Sequence, residues 1–138
     1  MFESLDFVYI PAPDIESSVD YYKNILGGEL LWKIHAYGVW VACIVLSDEE
    51  PYILLANHIE KNDIVLIYRV SNLEKTAFQL RSKGWKEEKR LEIPPGPCCT
   101  FRDPADNHIA IYEKPRPDVM KEFKGQIDVQ ENEKEQAK

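Results

Sequence analysis

No apolar run in the 138 residues approaches the roughly 20 that a membrane-spanning helix requires, so no such helix is expected. Basic charge is also scarce. The chain has 17 Lys and Arg against 24 Asp and Glu, a net charge of -7, which argues against phosphate-backbone binding as its main task. Neither nucleic acid nor a membrane is expected as a partner. The opening "MFESLDFVYI" is acidic and lacks the basic start and cleavage site of a signal peptide. Cysteine is limited to three residues, with Cys98 and Cys99 adjacent, which makes no disulfide framework. A reducing cytoplasm is the simplest compartment. Neither a Ser-His-acid order nor a glycine-rich phosphate loop is visible, and "GEL" and "PPGP" read as breakers. What remains is ordinary: 44% hydrophobic and 30% charged residues fit one globular domain with a real core.

The elements follow one order twice. "LDFVYIPAP" is a strand pattern closed by prolines, and Asp14 is a good N-cap. The next segment places Ile15, Val19, Tyr22 and Leu26 on one helical stripe, with Gly27 or Gly28 as the left-handed stop. The strands "ELLWKIHA", "GVWVACIVL" and "PYILLANH" follow, giving βαβββ. The order repeats from "DIVLIYRV", with Asn72 as N-cap and a helix ending at Gly84. Moving Asp14, Ile15, Val19 and Tyr22 forward by 58 residues lands on Asn72, Leu73, Ala77 and Leu80, which indicates duplication. "KEEKRLEI", "CCTFR" and "HIAIYE" complete module two. The expected organisation is one domain over 1–114 with modules at about 4–58 and 63–114, helices over 14–27 and 72–84, and "NHIEKN" (57–62) as the joint. Residues 115–138 read as a polar tail with a short helix around Val119, Met120 and Phe123; an arm docked on a second subunit is the alternative.

A doubled βαβββ unit, a Pro-Asp-helix opening ending "YYKNILGG" and a closing "FRDPADNHI" strand together resemble the vicinal oxygen chelate superfamily. Its members include glyoxalase I, extradiol dioxygenases, fosfomycin-resistance enzymes and bleomycin-resistance binding proteins. The likeness covers residues 4–114. It implies an α+β fold of two βαβββ modules forming curved, half-barrel mixed sheets with helices outside. Asp106 replaces the usual turn glycine, a change that Asp tolerates in the left-handed region. In metal-using members, the first and last strands of each module supply inward ligands. The resemblance puts those positions at Phe7, Val65, Ala110 and Leu54, the last with one or two residues of latitude. None of these side chains can bind a divalent ion, so no metal and no cofactor are expected.

Two alternatives for a metal stay open. Glu113 lies three residues beyond Ala110, on the opposite face unless a bulge intervenes. His35, His58, His108 and the cysteine pair lack the short-spaced pairing of protein zinc sites.

Strand alternation then lists two faces. With the four ligand positions inward, so are Tyr9, Tyr52, Ala56, Ile67, Arg69, His108 and Tyr112. The other face takes Val8, Ile10, Ile53, Leu55, Leu66, Tyr68, Val70, Ile109 and Ile111, nearly all aliphatic and suited to packing under helices. The facing of Trp32 and Trp40 is open, and one of Cys98 and Cys99 is expected inside. Phe7, Tyr9, Tyr52, Arg69, His108 and Tyr112 are the candidate ligand-binding residues, Arg69 pairing an anion or stacking on a ring. The expected function is a metal-free small-molecule binder, acting as a homodimer. An enzyme with relocated metal ligands or metal-independent acid–base chemistry, and a purely structural module, are the alternatives.

Overall fold

The computed structural model describes residues 1–36, 38–57, 63–116 and 118–130. The expected joint lies outside them except for Asn57, as do His58 and residues 131–138. The first module runs β1 (Phe2–Pro11), α1 (Ile15–Asp20), β2 (Glu29–Ala36), β3 (Val39–Val45) and β4 (Tyr52–Ala56). The second runs β5 (Val65–Val70), α2 (Leu73–Arg81), β6 (Lys89–Ile93), β7 (Gly96–Arg102) and β8 (His108–Tyr112). A short α3 (Val119–Phe123) and a ninth strand, β9 (Ile127–Gln130), follow. Both expected caps form. Asp14 accepts from the Ser17 amide at 3.3 Å and Asn72 from the Lys75 amide at 2.9 Å.

Two compact units result, and their limits differ from the expected modules. Unit 1 comprises Met1–Asp6 and Val65–Glu122; unit 2 comprises Phe7–Ile64 and the chain from Phe123. In unit 1 the strand order is β6-β7-β8-β5, with the start of β1 beside β5. In unit 2 the rest of β1 leads β4-β3-β2-β9. Each module joins its first and last strands in parallel and the others antiparallel, which is the mixed α+β arrangement expected.

The register makes the duplication quantitative. Tyr9 pairs Leu54 in one module, and Ile67, 58 residues after Tyr9, pairs Ala110 in the other. Leu54 and Ala110 are therefore equivalent, which removes the latitude left by sequence.

The aliphatic face packs under the helices. Ile10, Ile53 and Leu55 join Ile15, Val19, Ala42 and Ile44 against α1. Tyr68, Val70, Ile109 and Ile111 join Leu73, Cys99 and Phe101 against α2. Each fully buried Leu or Ile there contributes roughly 1.5–3 kcal/mol relative to exposure.

Four expectations need correction. The first helix gives way after Asp20 to a π-helical turn, Tyr21–Ile25, closed by the Leu26 amide on the Tyr21 carbonyl at 3.0 Å. The wider turn carries Leu26 off the apolar stripe, leaving it 47% exposed. Both Cys98 and Cys99 are buried, because β7 is covered on both faces. "PPGP" is more than a breaker: a Cβ on Gly96 would stand 1.9 Å from the Glu113 carbonyl oxygen, so only glycine allows that approach. Finally, the polar tail contains β9, which pairs in parallel with β2.

Candidate functional site

Registers across each sheet assign the face away from the helix residue by residue. In unit 1 it carries three cross-strand rows: Val65–His108–Arg102, Ile67–Ala110–Thr100–Lys89 and Arg69–Tyr112–Cys98–Leu91. In unit 2 it carries Phe7–Tyr52, Tyr9–Leu54–Cys43–Trp32 and Pro11–Ala56–Val41–Ile34. The six candidates divide three and three between the units, all on these helix-free faces. Trp32 belongs to the same face, whereas Trp40 packs toward α1.

In unit 2, the Phe7 and Tyr52 rings meet edge to face at 6.4 Å. Phe7 is buried, and Tyr9 and Tyr52 are half-buried. Burial raises the Tyr9 phenol well above its ordinary range, so it stays protonated. The Tyr52 phenol is raised too, by desolvation first and then by Glu50.

In unit 1, Arg69 and Tyr112 are register partners that converge on Asp6. Tyr112 is fully buried and its hydroxyl donates to Asp6 Oδ2, while the Ser4 hydroxyl donates to Oδ1. Arg69 Nε lies 3.8 Å from Asp6 and 3.3 Å from Glu3. Neither contact has hydrogen-bond geometry, so the buried Nε–H is left without a bond. Its side chain, 37% exposed, borders an open groove of about 360 Å³. Glu3, Ser71, Glu113, Lys114 and Pro115 are among the other walls. The Glu113 carboxylate is engaged, accepting from the Leu73 amide at 2.8 Å at the start of α2.

His108 is not beside Arg69. Four residues separate it from Tyr112 along β8, about 13 Å at the usual rise per residue. Its Nε2 lies 2.9 Å from Glu88, whose carboxylate also accepts from Thr100 Oγ1 at 3.1 Å and Arg102 Nε at 3.0 Å. The Arg102 hydrogen bond, against some desolvation and with help from Thr100, holds the Glu88 carboxyl below its ordinary range.

Sequence reading missed Asp6, Glu88, Thr100 and Arg102. A lone acid between the apolar stretches of "LDFVYI" was the available signal for Asp6. Glu88 sits in a run of charges and gave none.

The residues at the ligand positions that the resemblance implies can be tested for fit to a metal. Phe7, Leu54, Val65 and Ala110 carry no donor atom and do not fit a divalent ion. Among the described residues, no three His, Cys, Asp or Glu side chains are grouped to hold one. Burial pushes the thiols of Cys43, Cys98 and Cys99 up to about 12, which removes thiolate chemistry near neutral pH.

Comparison with known proteins fits this geometry. The profile of the Glyoxalase/Bleomycin resistance protein/Dioxygenase superfamily matches residues 4–111. Methylmalonyl-CoA epimerase from Mycobacterium tuberculosis is 21% identical with a TM-score of 0.67, covering 82% of this chain and 89% of that one. A Streptomyces coelicolor methylmalonyl-CoA epimerase is 15% identical with a TM-score of 0.66, covering 84% and 97%. A hypothetical protein from Bacillus halodurans is 18% identical with a TM-score of 0.63, covering 80% and 94%. At these identities the likeness concerns the fold. Curated protein sequences give no match.

Proposed function

The chain belongs to the Glyoxalase/Bleomycin resistance protein/Dioxygenase superfamily, and from that premise we propose that it binds a small molecule on its helix-free sheet faces, without a metal at the superfamily's ligand positions. Arg69 carries the reading. It is a half-exposed guanidinium at the rim of a groove, with a buried Nε–H that its own acidic neighbours do not satisfy. The exposed part of the guanidinium can donate to a ligand oxygen, and a charged hydrogen bond there contributes on the order of 1.5–3 kcal/mol. Tyr112 holds Asp6 in place rather than meeting the ligand, and Phe7, Tyr9 and Tyr52 are a separate aromatic surface within unit 2.

A screen of aromatic carboxylates and their neutral amides by thermal shift tests this. Carboxylates should bind, and Arg69→Ala should weaken them about tenfold while leaving the amides nearly unchanged. Equal losses for both would mean collapse of the site, and no stabilisation by any probe would count against binding.

A second reading, acid–base catalysis without metal, is favoured by one observation: the 2.9 Å approach of His108 to Glu88. His108→Gln should then abolish turnover while leaving binding near wild type. The homodimer expected from the sequence is retained as part of this proposal. Sedimentation of a 16.0 kDa species at micromolar concentration would contradict that arrangement.

A further inference from the structure

In unit 2, the row Tyr9–Leu54–Cys43–Trp32 ends under a ring from a distant part of the chain. Phe123 meets Trp32 edge to face at 5.3 Å, and the two are 7% and 2% exposed. Phe123 therefore covers part of a buried indole. The contact is held by backbone and charge. The Gly125 amide donates to the Leu31 carbonyl and the Lys33 amide to the Gln126 carbonyl, each at 2.7 Å, and β9 then continues along β2. On the other side of β2, the buried Lys33 amine reaches Asp128 at 2.7 Å and also pairs with Glu16 of α1. Asp128 makes its contact from a left-handed backbone, φ 57°, a conformation that Asp adopts more readily than most non-glycine residues.

We propose that Trp32 marks a seat for an aromatic ring, and that Phe123 is its intramolecular occupant, strapped down by residues 125–130 and latched through Lys33–Asp128. The inference rests on the reading of the helix-free faces as binding surfaces. The seat is apolar along its row and carries no charge, so it would take the flat apolar part of a ligand, in competition with Phe123. The latch is set to open. Its Asp128 half is exposed, and Lys33 keeps Glu16 as a partner when Asp128 leaves.

Two substitutions separate the parts. Phe123→Ala empties the seat; Asp128→Asn weakens the latch and leaves the seat intact. The probe is naphthalene-2-sulfonate, titrated by calorimetry against the full chain, with thermal unfolding checked for each variant. Removing a resident competitor raises apparent affinity by the inverse of the fraction of open seats, so Phe123→Ala should bind about tenfold more tightly. Asp128→Asn should show a smaller gain of about threefold in the same direction. A synthetic peptide of residues 119–130 should compete with the probe on Phe123→Ala.

No gain in either folded variant overturns the inference while leaving the Arg69 test untouched, because that test reads unit 1. A gain in Phe123→Ala that Asp128→Asn does not share would mark a cavity made by truncation, and overturns it too. If Phe123→Ala does not fold, Asp128→Asn decides alone.

Discussion

In unit 1 the central row of the helix-free face runs Ile67–Ala110–Thr100–Lys89, apolar at one end and charged at the other. Its equivalent in unit 2, Tyr9–Leu54–Cys43–Trp32, has no charge and ends beneath Phe123. The flanking rows diverge further: Arg69 stands 58 residues after Pro11, at the equivalent place. On the helix faces the two modules agree, with Tyr68–Ile111 answering Ile10–Leu55. Duplication has thus kept the face that stabilises each module and left the other free to differ. The difference is chemical. On this face unit 1 carries charge, and unit 2 carries ring surface.

The comparison can be broken first where the modules agree. Leu55→Ala and Ile111→Ala remove equivalent side chains, both 0% exposed, from the two helix faces. Each should cost about 2–5 kcal/mol in urea unfolding. A loss under 1 kcal/mol in one alone would mean the two cores are not equivalent. The next effect belongs to unit 1. Tyr112→Phe takes a donor from the buried Asp6 carboxylate and should cost about 1–3 kcal/mol. Tyr9→Phe, on the unit 2 face, serves as its counterpart in the same assay.

The smallest effect concerns pH. Glu88 has a folded-state pKa below its ordinary value, chiefly through Arg102. Its stabilisation is therefore fully present above the unfolded pKa of 4.5 and is lost as pH falls through the lower folded value. The carboxylate is 41% exposed, so screening keeps the contribution under about 1 kcal/mol. Glu88→Gln should flatten the acid limb of a stability–pH curve by that amount, and an unchanged limb would contradict the assignment.

Much of the fold was legible because its signals are local. Period-two alternation separated the faces of β1, β4, β5 and β8, and Asp14 and Asn72 marked both helix starts. Asp106 takes φ 68°, the left-handed value that its turn position demanded. The site was less legible because its contacts are distant. Glu3 and Asp6 both reach Arg69 although they lie three residues apart, which strict alternation forbids. Glu88 gains its meaning only from Thr100, Arg102 and His108 across β7 and β8. The strand at Ile127–Gln130 alternates as Ile-Asp-Val-Gln, but over only four residues inside a polar segment, and it is held by main-chain bonds and by Lys33, which the sequence does not reveal.

Metal content tests the central claim most directly. If the helix-free faces bind their ligand through side chains such as Arg69, with Phe7, Leu54, Val65 and Ala110 where relatives keep donors, no divalent ion is required. Elemental analysis of protein purified without chelator should find well under one equivalent per chain, and carboxylate binding should survive dialysis against EDTA. Stoichiometric zinc, nickel, iron or manganese, with binding lost on its removal, would contradict the account.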